Sequence, residues 1–310
     1  MMIRRRIAYS DRTYIGTSVA GKFHAYACPL HLSTQKLTGL ISYTAGALEE
    51  TPDGKIIITL RKKLHQSSDT NKQVDLTHEK KLRTFGSKGI LHLIWSESRL
   101  NLWFDHSKSQ RRLGIVNAAI RKAAERIINQ DIPLNRSLLL HAPIGSQQEH
   151  TNNQVINSAL ASKSKVLLIA PLKFYKTQQH GLKTSKLPVT GNFGFSAIFV
   201  GTRHWNHLLE VNPNEVRLWK DGHTVIALAY VIPYSDGFFK TANVRDIALM
   251  AVSEAWIPIT SHSDMTKESA LRAERISFMK PLRFDAPTDI DLPDYIVADA
   301  GGFLPVKIPT

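Results

Sequence analysis

Three apolar runs are the features of this sequence that most restrict its fold. They cover residues 166–170, 224–232 and 247–252. Each run is far shorter than the roughly 20 apolar residues that a membrane-spanning helix needs, and each has the length of a β-strand. The first run has no alternating polar face, so we expect it to be buried on both sides.

Two segments between residues 88 and 130 have the periodicity of helices. In residues 88–99 and 110–129 apolar side chains recur at helical spacing, and in the second they return every three or four residues from Leu113 to Ile127. Short strand patterns separated by turn residues lie before and after this region. The predicted fold class is therefore α+β, with mixed, largely antiparallel sheets and a helical insertion around residues 88–130.

The same patterns predict three segments along the chain. Residues 1–84 form a small, β-rich, basic N-terminal region, residues 85–132 a helical hairpin, and residues 133–310 an α+β C-terminal domain. The character of the sequence changes again after Gly191, where the charge becomes balanced and slightly acidic.

The charge of the chain is strongly positive and unevenly distributed. The net charge is +14; residues 1–189 hold 29 Lys and Arg against 12 Asp and Glu, a net +17, whereas residues 190–310 hold 11 against 14, a net −3. A basic excess confined to one part of a chain is typical of proteins that bind polyanions. The alternatives are a purely solubilising charge, or an acidic membrane surface. No basic amphipathic helix with an aromatic face stands apart from the fold, so we expect no membrane partner.

The expected nucleic-acid-binding residues are the cations of four stretches of the chain, together with one aromatic residue in the fourth stretch. They are Arg4, Arg5 and Arg6; Arg61, Lys62 and Lys63; Arg111, Arg112, Arg121, Lys122 and Arg126; and Lys173, Tyr175, Lys176, Lys183 and Lys186. Lysine and arginine neutralise phosphates, and an aromatic ring can stack on a base. Two alternatives remain open: the third stretch is the solvated face of an ordinary helix, or the pair Phe174 and Tyr175 belongs to the core.

Cofactor motifs are absent from the sequence. It contains no GxxxxGK[ST] or GxGxxG loop, no HExxH and no CxxC, and we expect no cofactor. His24, Cys28 and His31 are weak candidates for metal ligands; the alternative is that Cys28 is a small buried apolar residue. A single cysteine excludes an internal disulfide and favours the cytoplasm.

A nuclease site is the main catalytic alternative. A metal-dependent nuclease of the PD-(D/E)xK type would have its Glu-x-Lys at the end of the strand over residues 166–170, but Pro171-Leu172-Lys173 stands there. Proline cannot bind a metal ion, so this interpretation requires an inactive relic. Asp285, Asp289, Asp291 and Asp294 lie in a proline-rich stretch that is typical of a solvated loop.

Several segments together resemble an uncharacterised bacterial family, domain of unknown function 1173. They are GILHLIWSE (89–97), RLNLW (99–103), AAE (123–125), VLLIAPLK (166–173), IALMAV (247–252), WIP (256–258) and FMKPLR (278–283). The family is found largely on plasmids and integrative elements, so the resemblance implies a mobile-element setting but no reaction. The family has a Cys-x-Cys upstream of a His-x3-Cys. Because only His24 and Cys28 correspond here, a family zinc site would be incomplete.

These observations favour a non-enzymatic, nucleic-acid-binding subunit of a nucleoprotein complex, with DNA or RNA and other protein subunits as partners. A plasmid-borne, RNA-guided (CRISPR-associated) defence complex is one setting that fits. The alternatives are a metal-dependent nuclease or its relic, and a scaffold that holds a protein partner through residues 190–310.

Overall fold

The computed structural model describes residues 37–65, 82, 84–104, 111–175, 184–299 and 302–306. The α-helices of these residues are α1 (Ser87–Glu97), α2 (Leu113–Arg126), α3 (Gln147–Ser162), α4 (Thr202–Val211), α5 (Pro213–Lys220) and α6 (His262–Ala273). The strands are β1 (Leu48–Glu50), β2 (Ile56–Ile58), β3 (Leu102–Trp103), β4 (Ile127–Asn129), β5 (Ile132–Pro133), β6 (Leu138–Leu139), β7 (Val166–Pro171), β8 (Thr184–Lys186), β9 (Ala197–Gly201), β10 (Thr224–Ser235), β11 (Lys240–Val252), β12 (Pro258–Ile259), β13 (Phe278–Met279), β14 (Tyr295–Asp299) and β15 (Gly302–Val306). None of these helices is long and apolar enough to cross a membrane.

The three apolar runs of the sequence lie side by side in a central sheet. Its strand order is β6-β7-β10-β11-β9-β8, and β12 pairs with the far end of β11. The β7, β10 and β11 strands are antiparallel, whereas β6 is parallel to β7 and β9 is parallel to β11. The predicted α+β class with mixed, largely antiparallel sheets is confirmed.

Helices cover both faces of the central sheet, which explains why its middle strands are apolar throughout. Along β10, Ile226, Leu228 and Tyr230 face a core that also contains α1 and α2. The alternate residues, including Val225 and Ala227, face a second core shared with α3, α4 and α5. Successive side chains of a strand point to opposite faces, so a strand between two helical layers needs no polar face.

Two smaller sheets complete the described fold. One has the order β1-β2-β4-β5 and the other β15-β14-β13-β3. The core on the α1 side contains Ile56, Ile90 and Leu228, one from each segment predicted from the sequence. The helical hairpin therefore shares its apolar interior with residues on both sides of it.

Two helices end earlier than the sequence predicts. The helical pattern of the first runs to residue 129, and a second helical pattern, over residues 266–280, runs to Lys280. α2 ends at Arg126, and Ile127–Asn129 pairs with β2 and β5 as strand β4. α6 ends at Ala273, and Phe278–Met279 joins the β14 edge as β13. Isoleucine and phenylalanine favour strands, and a neighbouring strand overrides a helical spacing at its boundary.

Candidate nucleic-acid interface

A groove of about 980 Å³ opens beside the end of β7. The lining residues that the structure describes include Lys173, Lys186 and His223, but no aspartate or glutamate. Lys173 and Lys186 are both exposed. The structure thus brings together two cations that are 13 positions apart in the sequence and were both predicted to contact phosphates.

The backbone at Lys173 is held from two sides. Its N–H donates to the carbonyl oxygen of Pro188 at 2.6 Å, and its own carbonyl oxygen accepts from the indole N–H of Trp219 at 2.7 Å. Trp219 is buried in the core beneath α5. Because the backbone is held, the Lys173 side chain extends from a defined position beside the groove.

The aromatic pair beside Lys173 divides between core and surface. Phe174 lines the groove and is 80% exposed. Tyr175 is half-buried, with its ring edge-to-face against Trp219 at 4.9 Å between centroids and the ammonium of Lys220 5.4 Å from its ring centroid. The sequence singled out Tyr175 as the stacking residue; the ring that the structure leaves accessible is that of Phe174.

The opposite wall of the groove follows the end of β8. Lys186 pairs with Phe199 of β9, and the next residue, Leu187, donates its N–H to Ile198 at 2.7 Å. The chain then crosses toward β7 and turns at Gly191, whose φ is +120°. A Cβ at Gly191 would lie 2.3 Å from the His141 ring, so both conformation and space require glycine there.

Arg111 does not take part in an exposed basic surface, contrary to the role predicted for it. Its guanidinium donates to the carbonyl oxygens of Leu100 at 2.8 Å, Ala255 at 3.2 Å and Leu102. Burial lowers the pKa of Arg111 to about 10. An arginine that satisfies several buried carbonyls connects loops and is not available for a phosphate.

Three more predicted cations have protein partners. Arg126 pairs with Glu97 at 3.2 Å, and Lys62 pairs with Asp246 at 2.8 Å. Arg121 donates to the side-chain oxygen of Gln148. The remaining described cations are exposed: Arg61, Lys63, Arg112 and Lys122. Arg4, Arg5, Arg6, Lys176 and Lys183 lie outside the described residues, as do His24, Cys28 and His31.

Asp285 has a structural position that the sequence did not predict. One of its carboxylate oxygens accepts from the N–H of Gly86 at 2.7 Å and from the hydroxyl of Tyr43 at 2.6 Å, and the other accepts from Gly89 at 3.1 Å. Burial, followed by the charge of Asp285, raises the pKa of Tyr43 above its usual value. This aspartate therefore caps α1 from a distant loop and is not a solvated loop residue. Within the described part of the chain, no three His, Cys, Asp or Glu side chains are grouped closely enough to hold a metal ion.

The fold and the groove define an α+β protein with a basic recess at one end of its central sheet, and the described residues that line this recess include no carboxylate. The chain belongs to the family described as "Protein of unknown function (DUF1173)", whose model matches residues 3–308. No curated protein and no solved structure matches the chain significantly. The family predicted by resemblance is thus confirmed, and its mobile-element setting stays a prediction.

Proposed function

We propose that the protein binds nucleic acid through the groove between Lys173 and Lys186, as a non-enzymatic subunit of a nucleoprotein complex. The observation that supports this best is the charge of the groove, whose described lining has two lysines and no carboxylate. Phosphates bound there would meet no repulsive carboxylate among the lining residues that the structure describes. Each phosphate contact by a lysine or arginine releases counterions, which is the main source of sequence-independent affinity.

An exposed aromatic ring and the net charge of the chain also support nucleic-acid binding. The exposed ring of Phe174 offers an apolar face next to the two lysines. A net charge of +14 favours association with any polyanion. The setting that we propose is cytoplasmic and borne by a mobile element, with other protein subunits completing the complex.

The test is the affinity for a fluorescent oligonucleotide, measured by anisotropy over a range of salt concentrations. The Lys173→Ala/Lys186→Ala variant should bind more weakly. The slope of its log binding constant against log salt concentration should be less steep by about 1.4 on a single strand or about 1.8 on duplex DNA. The control is Arg112→Ala/Lys122→Ala, which removes the same charge from the residue before α2 and from α2 itself; both side chains are exposed. No binding of the wild-type protein at low salt would end the proposal. An equal loss in both variants would remove the groove as its site.

A further inference from the structure

The hairpin between β10 and β11 presents two phenylalanines to solvent. Phe238 is 93% exposed and Phe239 is 63% exposed. Tyr234, four residues before Phe238 on the β10 side, is 43% exposed. Leaving a phenylalanine in water forgoes roughly 1.5–3 kcal/mol of burial. Two adjacent exposed rings at one hairpin tip are therefore a feature that folding alone does not explain.

The turn that carries these rings is held by its own polar groups. One carboxylate oxygen of Asp236 accepts from the N–H of Phe239 at 2.7 Å and from that of Phe238 at 2.9 Å. Gly237 has a φ of +94° and donates to the hydroxyl of Ser235 at 3.2 Å. The hydrogen bonds from Phe239 and Phe238 hold the pKa of Asp236 below its usual value. The two rings thus extend from an ordered backbone and are not needed to form the turn.

A β-bulge in the two strands of this hairpin positions a cation beside Tyr234. Between β10 and β11 the register shifts at Tyr230 and Val231, so Arg245 is the extra residue of β11 and is exposed. Its guanidinium donates to the hydroxyl of Tyr234 at 3.5 Å. Bulges redirect side chains and occur often beside functional sites. Here the bulged residue is an arginine that contacts the hydroxyl of Tyr234.

Arg245 also lines a cleft of about 730 Å³ between β11 and α4. Arg203 and Lys62 are the other strong cations of this cleft, and Glu210 and Asp246 are its carboxylates. Asp246 is occupied by Lys62 at 2.8 Å and by the hydroxyl of Ser87 at 2.6 Å. Arg203 and Arg245 make no ion pair with any described residue, which leaves their guanidinium groups for an anion from outside.

We propose that the hairpin and this cleft bind single-stranded nucleic acid: unpaired bases stack on Phe238 and Phe239, and Arg203 and Arg245 neutralise the neighbouring phosphates. This inference rests on the proposed function and names its substrate class. Aromatic rings beside a positively charged groove are the usual means of binding single strands without sequence preference, since every base has a π-face.

The rings distinguish single strands from duplexes. In a duplex the base faces are stacked on each other and only the edges and phosphates are accessible, so an exposed phenyl ring gains little. The hairpin also adjoins the Lys173 groove. Ser196, which lines that groove, donates its N–H and its hydroxyl to the carbonyl oxygen of Lys240, at 2.8 and 3.0 Å. A strand leaving the groove at Ser196 therefore meets the base of the hairpin.

The experiment compares a single-stranded oligonucleotide with the duplex of the same sequence, using anisotropy and the full chain. Phe238→Ala/Phe239→Ala should lose about tenfold or more in affinity for the single strand and leave duplex affinity unchanged. Phe238→Tyr/Phe239→Tyr should retain wild-type affinity, whereas Phe238→Leu/Phe239→Leu, which keeps the apolar character but not the π-face, should behave like the alanine variant. Ile144→Ala is the control, because Ile144 is 89% exposed and lies before α3.

A second arm tests the cleft. In Arg203→Ala/Arg245→Ala, the slope of log binding constant against log salt concentration on the single strand should be less steep by about 1.4. Wild-type affinity of the phenylalanine-to-alanine variant for the single strand, or equal losses on single strand and duplex, would overturn the stacking site. If the stacking site is overturned but the Lys173→Ala/Lys186→Ala variant binds the oligonucleotides more weakly than wild type in the same experiment, the proposed function still stands. If the wild-type protein binds neither oligonucleotide, both fail.

Discussion

The indole N–H of Trp219 donates to the backbone carbonyl oxygen of Lys173 at 2.7 Å, and so connects α5 to the residue that carries a cation into the groove. Trp95 makes a comparable bond in the other core, to the carbonyl oxygen of Trp256 at 3.1 Å. Both indoles are buried. The two tryptophans can be compared directly, because each donates a hydrogen bond to a backbone carbonyl oxygen but only the bond of Trp219 supports the groove.

We predict that Trp219→Phe and Trp95→Phe have similar effects on stability and different effects on binding. Each removes a buried hydrogen bond and some indole volume, so each should lower the free energy of unfolding by about 1–3 kcal/mol in denaturant titrations. Only Trp219→Phe should weaken oligonucleotide binding, because it releases the backbone of Lys173. Equal binding losses in the two variants would mean that the Trp219 bond has no special role in positioning Lys173.

The stability of the protein should decrease as the pH falls through the weakly acidic range, because of His92. This histidine is buried, and its Nδ1 accepts the N–H of Phe284 at 2.8 Å, so the ring is neutral in the fold. Burial, with a smaller contribution from Lys88, lowers the pKa of His92 to about 3. In the unfolded chain histidine takes up a proton below about pH 6.5, whereas the folded protein resists it. The contribution of neutral His92 to the free energy of unfolding is therefore complete above about pH 6.5, and it is lost as the pH falls toward about 3.

The measurement for His92 is the free energy of unfolding at about pH 7 and pH 5, in wild type and in His92→Gln. The wild-type value should fall by about 2 kcal/mol more than that of the variant, at about 1.4 kcal/mol for each pH unit below 6.5. Glutamine keeps an acceptor for the Phe284 N–H but cannot be protonated. If both proteins lose the same stability between the two pH values, His92 is not the group responsible.

The sequence predicted the middle of the fold better than its margins. The runs that became β7, β10 and β11 are long and apolar because helices cover both faces, and this pattern needs no knowledge of neighbours. The assignment of residues 127–129 to a helix was wrong, because β4 pairs with β2 on one side and with β5 on the other. Local periodicity cannot detect a partner strand that lies more than 60 positions away along the chain.

The candidate site was predicted only in part, for a related reason. Charge alone could not separate Lys173, which lines a groove, from Arg111, which satisfies buried carbonyls. Arg203 and Arg245 were not singled out, because residues 190–310 are acidic as a whole. Phe238 and Phe239 did carry a signal: two phenylalanines follow the turn residues Asp236 and Gly237, where a hairpin needs no apolar side chain.

A buried ion pair should control the stability of the α6 region. The ammonium of Lys280 lies 2.7 Å from Asp264 and 4.3 Å from the centroid of the Tyr295 ring, and both charged residues are buried. Lys280→Met leaves the Asp264 carboxylate without its cation, which should lower the free energy of unfolding by about 3–5 kcal/mol. Asp264→Asn/Lys280→Met should recover much of that loss, since neither charge of this pair remains. The exposed pair of Lys55 and Asp53, 2.7 Å apart, supplies the control: Lys55→Met should leave the free energy of unfolding nearly unchanged. A double variant no more stable than Lys280→Met alone would contradict this account.

The nuclease alternative leads to a prediction about Asp246, one of the two carboxylates among the described lining residues of the cleft. Asp246 is bound to Lys62 at 2.8 Å and to Ser87 at 2.6 Å, and Asp264 is bound to Lys280. Because protein groups already occupy these carboxylates, we predict that the pure protein binds oligonucleotides but does not cut them when Mg²⁺ or Mn²⁺ is added. Labelled single-stranded and duplex substrates, resolved on a denaturing gel, provide the measurement. Cleavage that requires the metal and disappears in Asp246→Asn would make the protein an enzyme, because a contaminating nuclease would not depend on that side chain. Asp289→Asn, in an exposed loop, is the matched charge control.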